Sequence, residues 1–204
     1  MSRPSKIVCV GRNYAAHVRE LGNPLPERPL LFLKPPSALI GPGQAILLPA
    51  ASSRVEHEAE IAVVVGRRIR NVSLQEAESA IGGFACANDV TARDLQATDG
   101  QWTRAKGFDT FCPVGPAASA DWRTLEVRCR VNGVERQAGR SAEMIFPIPA
   151  LLSYISGIMT LEPGDLILTG TPAGTSALTD GDLVEVEIPG VGLLSNPVRR
   201  AETR

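Results

Sequence analysis

The sequence predicts a mixed α+β fold that is mainly β. Strand-like segments outnumber helical ones over the 204 residues, and 19 glycines with 16 prolines can supply the turns between many short strands. In addition, residues 61–65 (IAVVV) form a β-branched apolar run, which is typical of a strand covered on both faces. A chain of this length is expected to fold as one domain, 1–204.

The first half predicts strands separated by short helices. KIVCVG indicates an opening strand, and RNYAAHVRELGNP indicates a short helix within residues 12–22 that stops at Gly-Asn-Pro. LLFLK lies in a proline-rich connection, and GPGQAILLP predicts a turn and a strand. SLQEAESAIGG predicts another helix, because Ser73 and Glu76 have capping-box spacing. FACANDV then predicts a strand, and TARDLQATDG predicts a short helix.

The second half predicts further strands around a single helix. LEVRCRVNGVERQ indicates a β-hairpin that turns at Asn132 and Gly133. IPALLSYISGIM has apolar residues at helical spacing and predicts a helix. LEPGDLILTGTPAG and DGDLVEVEIPGVG predict turns and strands, and no repeat or linker divides the chain.

The charge balance favours a small-molecule ligand. The chain has 21 Lys and Arg residues against 22 Asp and Glu, so neither nucleic acid nor an anionic membrane is an expected partner. No apolar run approaches the roughly 18 residues of a membrane span, and no signal-peptide core is visible, so a cytoplasmic location is expected. The four cysteines form no CxxC pair and are expected to be reduced, with Cys9, Cys86 and Cys129 in the core.

Residues 56–60 (EHEAE) place three acids just before the buried run. In a strand, Glu56, Glu58 and Glu60 would share one face. They form either a solvated strand end or, because buried carboxylates repel one another, the ligands of a divalent cation. Ligation by oxygen alone suits Mg²⁺, Mn²⁺ or Ca²⁺. Asp89, which follows a strand-like run, is either a third ligand or a helix cap.

Two histidines and one lysine are candidates for acid–base chemistry and anion binding. His17 and Glu20 are spaced i, i+3, so the carboxylate can orient the imidazole as a general base, and an exposed surface pair is the alternative. His57 faces away from the acids and is expected in the core or at an interface. Lys106, in an aromatic neighbourhood, is either a ligand for an anion or a surface lysine.

Seven segments together resemble the fumarylacetoacetate hydrolase family. They are VGRNYAAHVRELGN, FLKPPSALIGPG, EHEAEIAVVV, ANDVTARDLQ, AKGFDTFCPVGP, LEPGDLILTGTPAG and VEVEIPGVGLLSNPV, and they cover nearly the whole chain in the family's order. The length is similar to that of short members that act on acylpyruvates or oxaloacetate. The resemblance implies a homodimer of a mixed β-sandwich roll, like the C-terminal domain of fumarylacetoacetase, with a few covering helices.

The resemblance also implies roles for individual residues. It implies that Mg²⁺ or Mn²⁺ is bound by three acids: Glu58, Glu60 and Asp89. It implies a water-activating dyad on a lid helix, and a lysine that stabilises negative charge on the substrate: His17, Glu20 and Lys106. It implies substrate contacts near the metal and in a carboxylate-receiving loop: Arg93, Gln96, Gly170 and Thr171. Glu56 matches no ligand position and is predicted to be a rim charge.

The implied activity is metal-dependent hydrolysis of a carbon–carbon bond in 2,4-dioxo acids such as fumarylpyruvate or acetylpyruvate, giving pyruvate and a carboxylic acid. Oxaloacetate decarboxylation and keto-enol tautomerisation rely on the same metal and are alternatives. A non-catalytic 2-oxo-acid binding protein is the alternative from another class, but it would not need the dyad. After GTPAG the chain reads TSALTDGD where many members have a short Val-Gly turn, so the outer edge of the pocket is expected to differ.

Overall fold

The computed structural model describes residues 3–202, and its architecture confirms the predicted mainly β class. The strands are β1 (Ile7–Gly11), β2 (Leu30–Lys34), β3 (Leu39–Ile40), β4 (Ile46–Leu48), β5 (Val55–Glu56), β6 (Ala59–Val65), β7 (Ile81–Asn88), β8 (Thr91–Ala92), β9 (Cys112–Pro113), β10 (Glu126–Val131), β11 (Val134–Arg140), β12 (Leu166–Leu168), β13 (Leu183–Ile188) and β14 (Gly192–Arg200). The α-helices are α1 (Ala15–Glu20), α2 (Leu74–Glu78), α3 (Arg93–Thr98), α4 (Thr103–Gly107) and α5 (Ile148–Ile158). No helix in this part of the chain has the length and apolar character needed to cross a bilayer.

The first sheet is mixed and has the strand order β2-β1-β12-β6-β7. β1 and β12 are parallel, whereas the other neighbours are antiparallel. Side chains alternate between two buried clusters: Val8 and Ile61 belong to the larger one, and Cys9 and Ala62 belong to the smaller one. The sheet is therefore covered on both faces, as predicted for residues 61–65.

The second sheet has the strand order β11-β10-β13-β14-β4 and packs over the larger cluster. Along β10, Val127, Cys129 and Val131 are buried, and the residues between them are half-buried. The predicted hairpin joins β10 to β11. Asn132 and Gly133 have φ angles of 54° and 78°, as a two-residue turn with both central residues left-handed requires.

The helices lie mostly where the sequence predicts them. α2 begins with the predicted capping box, because Ser73 and Glu76 exchange side-chain and backbone hydrogen bonds. α5 buries apolar side chains such as Leu151 and Ile155 on the larger cluster. α1 is shorter than the predicted segment 12–22, since Gly22 has a φ of 67° and the chain turns there.

The acidic segment is not the single strand that the sequence predicts. β5 ends at Glu56 and pairs with β8, whereas β6 begins at Ala59 and pairs with β7. The two strands are separated by His57 and Glu58, so alternation along one strand does not decide where the acids point. LLFLK, placed in a connection by the sequence, is the edge strand β2.

Strand direction brings several chain segments to one end of the first sheet. Ala59 pairs with Asn88, so the start of β6 lies beside the end of β7. β12 is antiparallel to β6 and parallel to β1, so the residues that follow β12 and β1 reach the same end. Segments far apart in the sequence therefore meet there.

Candidate active site and metal centre

Three buried carboxylates form one cluster at this end of the sheet. Oxygens of Glu58, Glu60 and Asp89 lie within 4.8 Å of one another, and the three residues are 5%, 2% and 1% exposed. The backbone N–H of Asp89 donates to the carbonyl of Glu58 at 2.8 Å, and the N–H of Glu58 donates to Asn88 Oδ1 at 3.0 Å. These bonds between the two strand ends set the spacing of the acids.

Cations bind two of the three carboxylates. Lys106 Nζ donates to Glu58 Oε2 and to Asp89 Oδ2, both at 2.7 Å. Arg93 Nη2 donates to Glu58 Oε1 at 2.7 Å. Lys34 Nζ donates to Asp89 Oδ1 at 2.6 Å. Burial alone would raise the pKa of Glu58, but Lys106 and Arg93 outweigh it and hold that pKa well below its ordinary value.

Glu60 is the carboxylate that receives no hydrogen bond from a cation among residues 3–202. Its Oε2 accepts the backbone N–H of Gly170 at 2.7 Å. Burial raises the pKa of Glu60, and the carboxylates of Asp89 and Glu58 raise it further, to well above its ordinary value. Glu60 therefore has no cationic partner of its own in the described part of the chain, and a divalent ion beside it would relieve the repulsion from Asp89 and Glu58.

The chemistry of the donors fits a hard divalent ion. The cluster offers carboxylate oxygens, the ligands that Mg²⁺, Mn²⁺ and Ca²⁺ prefer, and it includes no described histidine or cysteine, as zinc would favour. The cluster is buried, and Glu60 has no cationic partner among the described residues, so a bound divalent ion is the counter-charge that this carboxylate needs. The acidic triad is thus a metal-binding arrangement.

A histidine and a glutamate of α1 form the predicted pair. His17 Nδ1 lies 2.9 Å from Glu20 Oε2, and His17 is only 4% exposed. Glu20 also accepts the N–H of Gly174 at 3.1 Å, which ties α1 to the loop after β12. A side chain at position 174 would place its Cβ 2.0 Å from the carbonyl oxygen of Arg136. The loop conformation that brings this N–H to Glu20 therefore requires glycine.

The imidazole of His17 and the three acids line one cavity of about 340 Å³. Its polar lining includes eight residues that the sequence predicted for the site: Glu58, Glu60, Asp89, His17, Lys106, Arg93, Gln96 and Thr171. It also includes Arg12, which the sequence did not predict. Its apolar lining includes Phe32 and Trp102, whose rings meet edge to face at 5.3 Å. The cavity therefore suits a small ligand with a charged end and a less polar remainder.

Comparison with known proteins decides the family. The family described as fumarylacetoacetate (FAA) hydrolase C-terminal matches residues 6–199. The chain belongs to the fumarylacetoacetate hydrolase family. This confirms the resemblance seen in the sequence motifs, and with it the β-sandwich roll expected of fumarylacetoacetase C-terminal domains.

Relatives within the fumarylacetoacetate hydrolase family differ in the activities for which they are named. A mitochondrial oxaloacetate tautomerase of Arabidopsis thaliana, FAHD1, is 45% identical over 96% of this chain and 92% of its own. A 5-carboxymethyl-2-hydroxymuconate delta-isomerase of Mycobacterium smegmatis is 47% identical, with a TM-score of 0.92 over 98% of this chain and 81% of its own. A fumarylpyruvate hydrolase of Pseudomonas aeruginosa, in complex with Mn²⁺ and pyruvate, is 32% identical, with a TM-score of 0.91 over 97% and 91% of the two chains.

Most residues predicted from the family motifs line the cavity, but Glu20 and Gly170 do not. The N–H of Gly170 is engaged by Glu60, so this glycine supports a predicted metal ligand. Thr171 does line the cavity, and its hydroxyl donates to the carbonyl of Ala59 at 2.9 Å. Arg93 and Gln96 lie on adjacent turns of α3 and are hydrogen-bonded to each other.

The prediction that Glu56 is a rim charge is wrong. Glu56 is 1% exposed and accepts from Arg93 Nε at 2.8 Å and from Arg54 Nε at 2.7 Å. Burial would raise the pKa of Glu56, but both guanidinium groups, Arg93 foremost, hold it below its ordinary value. Glu56 therefore anchors Arg93, which in turn contacts Glu58. His57 is buried between Gln137 and Ser176, as a core residue should be.

Lys34, Phe32, Trp102 and Arg12 are the site residues that sequence reasoning missed. Lys34 ends the apolar segment LLFLK, and a charge at that place was a signal for a buried partner. Arg12 has a φ of 61°, which no local pattern predicts. The aromatic pair comes from β2 and from the residue before α4, so only the fold brings the two rings together.

Proposed function

We propose that the protein is a divalent-metal-dependent hydrolase that cleaves a carbon–carbon bond of 2,4-dioxo acids to give pyruvate and a carboxylic acid. The main observation behind this proposal is that His17, whose imidazole is held by Glu20, lines the same cavity as the carboxylate cluster. A binding protein needs the cluster but gains nothing from a base beside it. The named fumarylpyruvate hydrolase with Mn²⁺ and pyruvate supports the same chemistry.

The charge of the site supports an anionic substrate. The three carboxylates of the cluster face the ammonium groups of Lys34 and Lys106, while Arg93 is shared with Glu56. With Glu56 and its second partner Arg54 included, four carboxylates face four cationic side chains, so the charges balance and a divalent ion would add two positive charges. A 2-oxo acid then brings a compensating carboxylate.

The proposed reaction assigns roles to the polar side chains that the family motifs predicted. Glu58, Glu60 and Asp89 hold the divalent ion, which when bound polarises the 2-oxo acid and stabilises enolate charge. His17, oriented by Glu20, accepts a proton from water, and the resulting hydroxide adds to the distal carbonyl carbon.

The bond between that carbon and C3 then breaks, and its electron pair stays on the pyruvate fragment as an enolate. Protonation at C3, by the imidazolium of His17, completes pyruvate. The ammonium of Lys106 stabilises the enolate as its charge develops, and Arg93, Gln96 and Thr171 position the substrate.

Oxaloacetate tautomerisation is the second candidate. The observation that favours it is the 45% identity to an oxaloacetate tautomerase over 92% of that protein. His17 would then move a proton between C3 and the oxo oxygen without activating water. Decarboxylation of oxaloacetate needs the cluster and Lys106 but no attacking water, and it is the third reaction to assay.

A substrate panel tests the proposal. Fumarylpyruvate, acetylpyruvate and oxaloacetate are incubated with the protein and Mg²⁺, Mn²⁺ or a chelator, and pyruvate, carbon dioxide and enol absorbance are followed. We expect metal-dependent release of pyruvate from an acylpyruvate. Conversion of oxaloacetate between keto and enol forms without acylpyruvate cleavage would establish the second candidate. Binding of pyruvate or oxalate without any turnover would establish a binding protein.

The variant His17→Ala tests whether His17 acts as a general base or as a metal ligand. Acylpyruvate turnover should fall by roughly 10² to 10⁴ because the general base is lost, while Mn²⁺ affinity stays unchanged. Electron paramagnetic resonance of free Mn²⁺ measures the affinity. Equal loss of Mn²⁺ binding in this variant would contradict the assigned role.

The proposal also covers assembly and closure. One catalytic domain spans the chain, and the active form is a homodimer in the cytoplasm. Residues 12–22, which include α1, act as a lid, because His17 and Leu21 line the cavity. Sedimentation of the purified protein tests the dimer.

A further inference from the structure

Lys34 is a buried lysine that takes no part in the reaction proposed above. It is the last residue of β2, and its side chain is 0% exposed. Its Nζ donates to Asp89 Oδ1 at 2.6 Å and to the carbonyl of Val90 at 3.0 Å, and lies 5.9 Å from the centre of the Phe111 ring. Burying a charged lysine removes its favourable hydration free energy, so the buried ammonium needs a specific partner that compensates this loss.

The two oxygens of Asp89 have different lysine partners. Oδ1 accepts from Lys34, and Oδ2 accepts from Lys106, which also binds Glu58. Lys106 lines the cavity, so an ion or a substrate there can replace its contacts. Lys34 does not line that cavity and borders a separate groove instead, so a ligand in the cavity leaves its contacts in place.

The backbone of Asp89 is fixed as well. Its N–H donates to the carbonyl of Glu58 at 2.8 Å, and its carbonyl accepts from Thr91 Oγ1 at 2.8 Å. Lys34 completes this arrangement, because it joins the carboxylate to the carbonyl of the next residue, Val90. Rotation of the Asp89 carboxylate would break that connection.

We propose that Lys34 is a positioning residue for the metal site: it holds Asp89 Oδ1 from behind, so that Oδ2 is the oxygen presented to a divalent ion. Lys34 acts as a permanent counter-cation, whereas Lys106 is the exchangeable one. The inference rests on the proposed metal site at Glu58, Glu60 and Asp89. It assigns Lys34 no contact with substrate.

Mn²⁺ affinity, measured by electron paramagnetic resonance of free Mn²⁺ with the 204-residue protein, tests the inference. Lys34→Met should raise the Mn²⁺ dissociation constant by roughly 10- to 100-fold, as loss of a partner behind a metal ligand typically does. Lys34→Gln keeps a hydrogen-bond donor without the charge and should raise the Mn²⁺ dissociation constant by a smaller factor. This variant also provides the test if Lys34→Met does not fold. In a cycle with Asp89→Asn the effects should be strongly non-additive, because Lys34 acts through Asp89.

Lys6→Met is the matched control. Lys6 also pairs with a fully buried aspartate, Asp165, outside the cluster, so this variant should lose stability without a change in Mn²⁺ affinity. Unchanged Mn²⁺ affinity in both Lys34 variants would overturn the inference, as would effects that simply add to those of Asp89→Asn. If Asp89→Asn itself binds Mn²⁺ like the parent protein, the proposed metal site fails, and that outcome is distinct from failure of Lys34 alone.

Discussion

At the residue scale, the ammonium of Lys106 and a divalent ion need the same oxygens. Lys106 is 2% exposed and donates to Glu58 and Asp89. Burial would lower the pKa of Lys106, but the carboxylates of Asp89 and Glu58 outweigh it and raise that pKa well above its ordinary value. The lysine therefore stays charged, and it competes with the ion for these oxygens.

Lys106→Met should separate binding of the metal from turnover. At saturating Mn²⁺, kcat should fall by roughly 10² or more because the enolate loses its ammonium partner. The Mn²⁺ dissociation constant should stay equal or decrease, because the competing cation is gone. Paramagnetic resonance and steady-state kinetics measure the two quantities. Loss of Mn²⁺ binding as large as in Asp89→Asn would show that Lys106 supports the metal site instead.

At the element scale, the residues after β12 fit closely against the end of β1. Gly170 has a φ of 100°, and a Cβ there would lie 2.7 Å from Asn13 Cβ and 3.2 Å from the carbonyl oxygen of Val10. The same glycine donates its N–H to Glu60. Packing between two strand ends therefore sets the direction of a predicted metal ligand.

Gly170→Ala should cost more stability than Gly181→Ala. Gly181 has a similar φ of 93° but open space around it, so alanine there brings only backbone strain, about 1 kcal/mol. Alanine at position 170 adds a steric clash, worth about 1–3 kcal/mol more, and should also weaken Mn²⁺ binding through Glu60. Urea unfolding and Mn²⁺ titration measure both effects. Equal losses in the two variants would refute the role of close packing.

A buried aspartate joins β1 to the turn before β12. Asp165 accepts from the N–H groups of Ser5, Lys6 and Glu162 and pairs with the Lys6 ammonium. Burial would raise the pKa of Asp165, but these donors outweigh it and hold the pKa below its ordinary value. Its contribution to stability is therefore complete above the pKa of the unfolded chain and is lost as pH falls through the lower, folded-state pKa.

Asp165→Asn should thus lower the free energy of unfolding in a pH-dependent way. At pH 7 the loss should be about 2 kcal/mol, since hydrogen bonds to a charged group are removed. The difference from the parent protein should shrink as pH falls below about 4, where the aspartate of the unfolded parent chain takes up a proton. Urea unfolding at several pH values measures it, and a difference that grows on acidification would contradict the assignment.

At the scale of the whole molecule, metal binding is coupled to folding. The cluster joins the start of β6 to the end of β7, and the unfolded chain does not bring these acids together. Mg²⁺ or Mn²⁺ at about 100 times its dissociation constant should raise the free energy of unfolding by about 2.7 kcal/mol. Thermal unfolding with and without chelator measures the shift, and Asp89→Asn should strongly reduce it at the same metal concentration. A shift of unchanged size in that variant would indicate a different site.

Local patterns carried most of the fold and part of the site. The capping box at Ser73, the Asn132–Gly133 turn and the run after Glu60 each specify nearby structure, because backbone bonds and turns depend on neighbouring residues. The motifs around Glu58 and Asp89 pointed to two acids of the cluster before any contact was known. Each of these features involves residues only a few positions apart, so the local order of amino acids is enough to predict it.

By itself, then, the sequence determined the mainly β class, the family and the acids of the cluster. Only the tertiary structure decided that Glu56 pairs with Arg93, that Lys34 supports Asp89 and that Gly170 orients Glu60. The partners in these pairs are separated by 37, 55 and 110 residues along the chain. Contacts at such separations depend on how strands pair and on which charges share a low-dielectric interior, and no local pattern encodes either.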